Sequence, residues 1–188
     1  DHSTADRDQP ARGAQSRSSR ALQALASRAV AADEQRLLLR QLALRPPADQ
    51  VLALEARATG VQIYDCSASQ DQPARFEWVF RAPEADLFDA AGKKIGKHYA
   101  GPTWESNDGS KVVGEVKARD DGPDVNAIPW LLLSAKSTSG VGVLGQIVSV
   151  QRIQTVGGKA PAGGCSPAQA GNEVRAPYSA TYYFYVLR

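Results

Sequence analysis

From Val51 onward, apolar and polar residues exchange places at almost every position. Val51-Leu52-Ala53-Leu54-Glu55-Ala56 and Gly60-Val61-Gln62-Ile63-Tyr64-Asp65-Cys66 alternate with a period of two. Half-buried strands do this, because successive side chains point to opposite faces of a sheet. The pattern returns over residues 76–80, 85–89, 95–99, 111–118, 130–136, 145–154 and 180–187. Turn chemistry separates these runs. Ala91-Gly92-Lys93-Lys94, Asn107-Asp108-Gly109-Ser110, Ser139-Gly140-Val141-Gly142 and Gly157-Gly158-Lys159 all supply residues that tight turns favour, and Asp-Gly is a strong hairpin signal. About eight or nine short strands, with turns at intervals near ten residues, predict a mainly β domain: a single antiparallel β-sandwich or barrel. The last run, Tyr182-Tyr183-Phe184-Tyr185-Val186, is apolar on both faces, which predicts a strand with neighbours on either side.

Ahead of this domain the period changes. Residues 20–45 are rich in Ala, Leu, Arg and Gln, all good helix formers. Leu22, Leu25, Ala29, Ala32, Leu38, Leu39 and Leu42 recur at steps of three and four, so a helical segment carries them on one broad face. Asp33 could cap a second helix within it, and Pro46-Pro47 ends the segment. The leucine face has two readings: it docks on the domain core, or it contacts a partner, a second copy or a membrane surface. Residues 1–19 are polar and nearly free of large apolar groups. They read as a flexible tail, since they cannot bury enough surface to offset the entropy of ordering. The expected organisation is thus a tail over 1–19, a helical segment over 20–45 and a β-rich domain over 46–188.

Composition narrows the function classes. The chain has 188 residues, 43% of them hydrophobic, and a formal net charge of +2. Basic residues form no stripe, so no nucleic-acid partner is expected. No uninterrupted apolar stretch reaches the ~18 residues of a transmembrane helix. Methionine is absent, even at position 1, an expected consequence of signal-peptide removal or of trimming. In an oxidising compartment the two cysteines, Cys66 and Cys165, would pair, closing a loop of about 100 residues and stabilising by about 4 kcal/mol. Two unrelated buried thiols are the alternative. Secretion or a periplasmic location is the expectation.

Candidate chemistry concentrates in GKHYAGPTWESNDGSKVVG, residues 96–114, which holds the only histidine beyond His2. Binding residues gather on loops held by a rigid scaffold, and His98, Trp104, Glu105, Asp108 and Lys111 are the ligand-binding candidates. Trp104, between Gly-Pro-Thr and Glu-Ser-Asn-Asp, has the best claim to exposure; Trp78 and Trp130 sit in apolar runs and are expected in the core. An exposed ring beside polar groups suits a sugar or small amphiphile. One internal histidine is too few for the usual zinc or copper site, so neither a metal nor another cofactor is expected. Asp120, Asp121 and Asp124 read as a solvated acidic loop more readily than as a calcium site. A triad of His98 with Glu105 or Asp108 and Ser106 or Ser110 lacks a nucleophile-elbow motif. Glu77 beside Trp78 and Glu105 beside Trp104 have no identifiable carboxylate partner for glycoside hydrolysis. The glycine pairs lack the helix and Lys-Ser/Thr of a phosphate loop.

A set of phrases resembles one family. These are residues 60–66, Pro83 to Asp89, Gly92 to Gly96, His98 to Glu105, Asp108 to Ser110, Ile128 to Leu133, Thr155 to Gly158, Cys165 and Tyr178 to Val186. Together they resemble domain of unknown function family 3455, found in secreted bacterial and fungal proteins, over roughly residues 46–188. The resemblance implies export and a single β-rich module, and it brings no activity, cofactor or catalytic residue. Three readings follow. The first is a secreted domain that binds a carbohydrate, a small apolar molecule or a cell-envelope component, without catalysis. The second is an extracellular hydrolase using His98 with Glu105 or Asp108. The third is a structural module that associates through residues 20–45.

Overall fold

The computed structural model describes residues 13–188. Two compact units divide the chain, one ending at Leu39 and the other running from Arg40 to Arg188. A single helix, α1, spans Gly13–Ala43. It starts before residue 20, so the end of the expected tail is helical, and no second helix restarts at Asp33. Residues 1–12 of that tail lie outside the described residues. Leu22, Leu25, Leu38, Leu39 and Leu42 on α1 are all exposed.

The second unit is built from eight strands: β1 (Gln50–Ala68), β2 (Phe76–Phe88), β3 (Lys94–Tyr99), β4 (Thr103–Ser106), β5 (Lys111–Asp120), β6 (Trp130–Ser139), β7 (Ser149–Gly157) and β8 (Glu173–Leu187). Each pairs antiparallel with the next, and β8 returns to pair with β1, closing an up-and-down barrel. Closure removes the exposed edges on which open sheets aggregate. The expected final strand does have neighbours on both sides, β7 and β1.

Two pairs of short runs prove to be single long strands. The runs at 51–56 and 60–66 join through Gly60, where a Cβ would come within 2.1 Å of the Glu84 carbonyl oxygen on β2. Only glycine allows that approach. The runs at 76–80 and 85–89 join through Pro83, which lies on the same face as Ala85 and Leu87. Long, bulged strands let a small barrel wrap and twist.

Alternation delivers Ala56, Ala58, Leu87, Trp104, Val112, Leu133, Val150, Tyr182 and Phe184 to one interior cluster. A second, smaller cluster covers the outside, where Leu44, Trp130 and Ile153 bury one another beside Leu132 and Tyr183. The Gln151 side chain fastens it by donating to the Leu44 carbonyl at 3.1 Å, and Arg40 pairs with Asp120 nearby. Trp130 is therefore buried as expected, but outside the barrel. Elsewhere the outer face carries Glu55, Arg57, Lys97, Glu115 and Lys117, the reverse of a barrel that faces lipid. No helix among the described residues is long and apolar enough to cross a membrane. Cys66 on β1 and Cys165 in the β7–β8 loop form a disulfide. Trp78 lies half-buried beside that loop and donates to the Gly164 carbonyl at 3.1 Å.

Candidate functional site

The meander places alternate connections at opposite ends of the barrel. One end gathers the β1–β2, β3–β4, β5–β6 and β7–β8 loops, and a cavity of about 510 Å³ opens there. Pockets that hold small molecules typically measure about 300–1,000 Å³. Its floor is aromatic. His98 on β3 and Trp104 on β4 face each other across a register pair, with ring centroids 4.5 Å apart and planes inclined by 15°. Tyr182 of β8 meets the Trp104 ring edge-on at 5.4 Å, and Phe184 does so from below at 6.0 Å. Gly114 on β5 makes room for the indole: a Cβ there would lie 2.9 Å from Trp104 Cζ3.

Apolar walls come from Leu131 and Leu133 on β6 and from Ile128 and Pro129 in the preceding loop. Hydrogen bonds hold that loop across the barrel end: Ile128 N–H donates to the Gly157 carbonyl, and Thr155 donates its hydroxyl to the Ile128 carbonyl. The opposite wall carries Gln62 and Tyr64 of β1. Tyr64 is tied back by its hydroxyl, which donates to the Gly158 carbonyl at 2.6 Å.

The polar groups of the pocket are unevenly matched. His98 is 3% exposed, and its Nδ1 lies 2.8 Å from the Thr103 carbonyl oxygen. A carbonyl can only accept, so Nδ1 carries the proton and Nε2 is left as an acceptor. Burial lowers the His98 pKa to about 3, outweighing the opposing hydrogen bond to Thr103. The ring is neutral at any physiological pH. Two buried donors, Trp104 Nε1 and Gln62 Nε2, have no hydrogen-bond partner among the described residues. The Gln62 amide lies close enough to Tyr178 to oppose the rise that burial imposes on the phenol's pKa, yet its nitrogen stays unbonded. Unpartnered buried donors are costly; the two residues that carry them border the cavity, with the nitrogens themselves buried. Arg152 of β7 also enters the pocket, its Nε donating to the Pro129 carbonyl at 2.9 Å.

The five candidate residues do not form one site. His98 and Trp104 come together, but Trp104 is 1% exposed and forms the floor, correcting its expected exposure. Alternation explains the correction: the segment read as a loop contains strand β4, which sends Trp104 inward and Glu105 outward. Glu105 accepts from the Tyr99 hydroxyl at 2.7 Å and lies 3.5 Å from Lys111 Nζ, all on the outer face. That Tyr99 hydrogen bond and the two neighbouring lysines hold the Glu105 carboxyl below its ordinary range. Asp108 sits at the other end of the barrel. It accepts from the Ser110 hydroxyl and backbone N–H and from the Val143 N–H, which pins the β4–β5 turn to the β6–β7 loop. These bonds, that from the Ser110 hydroxyl foremost, lower its pKa to about 2. Ser110 is itself fully buried. Among the described residues no acid or serine side chain hydrogen-bonds to the His98 ring, and Glu105 and Asp108 are turned away from it, so they form no triad with it. Asp120 is also a structural acid: burial raises its pKa, but the Gly122 N–H and Arg40 more than offset this.

Gln62, Arg152 and Tyr182 are pocket residues that the sequence reading passed over. A signal existed for Arg152, because the period of two puts a cation on the face of Val150.

Fold and site define a closed eight-stranded antiparallel barrel with a small-molecule-sized pocket in one mouth. The chain belongs to the family described as Protein of unknown function (DUF3455), whose pattern matches residues 47–186. No curated protein matches it.

Proposed function

We propose that this domain is a binding protein whose barrel mouth receives a small, largely apolar molecule. One observation carries the reading: the open cavity ends on a packed aromatic floor of His98, Trp104 and Tyr182 between the apolar walls of Leu131, Leu133 and Ile128. Apolar walls supply affinity and a few fixed polar groups supply orientation, the usual division of labour in such pockets. A catalytic role has less support, since His98 is buried, neutral and bonded to the backbone. The paired cysteines support the further proposal that the protein works after export.

The test is a calorimetric titration of the full chain with octan-1-ol, a neutral amphiphile. A saturable single site is expected, and Leu131→Trp, which fills the cavity from its wall, should abolish it while circular dichroism stays native. Unchanged binding in a folded Leu131→Trp protein would overturn the assignment.

A further inference from the structure

The charge balance of the pocket narrows the ligand further, given the binding reading above. Among the described residues three arginines line the cavity, Arg81, Arg119 and Arg152, and no aspartate or glutamate does. Arg81 is neutralised at the rim by Asp65 and Glu173. Arg119 lies 3.4 Å from Asp121. Arg152 differs from both. It takes part in no ion pair among the described residues, and its one hydrogen bond uses Nε on a backbone carbonyl.

Position sharpens the contrast. Arg152 pairs in register with Tyr182 on one side and Leu131 on the other, both of which line the cavity. A cation is thus built into a wall that is otherwise apolar and aromatic. Its field is felt across the cavity. Burial has the larger influence on His98, Tyr64 and Tyr178, but the Arg152 charge lowers the pKa of each. Neutral His98 cannot supply a countercharge. The unpaired Arg152 guanidinium asks for an oxygen acceptor bearing negative charge. A guanidinium matches a carboxylate better than any other simple group, because its planar fork can donate two parallel bonds.

We propose that the pocket takes an amphiphile with a carboxylate head, which Arg152 binds while the apolar chain lies over Trp104, Leu131 and Leu133. The head neutralises the unpaired guanidinium, and the chain displaces water from the apolar walls.

Octanoate and octan-1-ol separate the head from the chain, and both can be titrated calorimetrically into the full protein at pH 7. Octanoate should bind the wild type about ten-fold or more tightly than octan-1-ol, the usual value of a charge-assisted hydrogen bond. Arg152→Met should abolish the preference, so that octanoate and octan-1-ol bind the variant with equal affinity. Arg152→Lys, which keeps the charge but loses the fork, should fall between. Equal affinities for the two probes in the wild type would overturn the carboxylate assignment and leave the binding reading standing. If neither probe bound, both would fall. Should Arg152→Met fail to fold, the two-probe comparison on the wild type decides alone.

Discussion

Replacing His98 with Asn should flatten the dependence of stability on pH below neutrality. The folded ring has a pKa of about 3 because burial removes it from water, whereas the unfolded chain returns it to the ordinary 6.5. Between those values the unfolded state binds a proton that the folded state refuses. Stability therefore rises with pH across this window and is lost as pH falls from 6.5 towards 3. Each pH unit is worth about 1.4 kcal/mol, so acidifying from pH 7 to pH 4 should cost about 3 kcal/mol through His98 alone. Asp108, Glu105, Asp120 and Glu173 have lowered pKa values and lose stability in acid too, but they do so in both proteins. The difference between wild type and variant isolates the histidine. Asn retains a donor near the Nδ1 position for the Thr103 carbonyl; it starts from lower stability, and only its slope matters. Urea unfolding followed by fluorescence, at intervals from pH 7 to pH 4, gives both curves. If they ran parallel throughout, His98 would be titrating normally and the packed aromatic floor would be wrong.

Other expectations follow from the same geometry. Gly114→Ala would press a methyl group on Trp104 and Leu133; it should cost about 1–3 kcal/mol and alter the tryptophan signal in near-ultraviolet circular dichroism. Removing the disulfide with Cys66→Ser and Cys165→Ser, which frees a link across 99 residues, should cost about 4 to 5 kcal/mol in urea unfolding. Asp108→Ala should lower the melting temperature without changing octan-1-ol affinity, because Asp108 braces the barrel end away from the pocket. Glu105→Gln should likewise leave binding unchanged, since its partners are Tyr99, Lys97 and Lys111 outside the barrel.

The barrel was largely legible because its strands obey the period of two, and its turns carry Gly, Asn and Asp. The joins at Gly60 and Pro83 were not. Both residues usually punctuate strands, and only the close approach of β1 to β2 shows why glycine sits inside one. The site was legible in part. His98 and Trp104 drew attention as rare residues in a dense segment, and they do line the pocket. Their neighbours Glu105 and Lys111 were grouped with them by proximity in sequence, although adjacent strand residues face opposite sides. Asp108 was separated from them by the length of the barrel. Arg152, Gln62 and Tyr182 come from strands far apart in the chain, and only closure of β8 onto β1 brings them into one cavity. The leucines of α1 recur at helical spacing, and a helix does form there, over Gly13–Ala43.

The most direct test of the barrel-mouth pocket is a nuclear magnetic resonance titration of the isotopically labelled full chain with octan-1-ol. The account predicts saturable shifts in the Trp104 Nε1–H signal and in the methyls of Leu131, Leu133 and Ile128, with Glu105, Lys111 and Asp108 unmoved. Shifts confined to the outer face, or none at all, would contradict it.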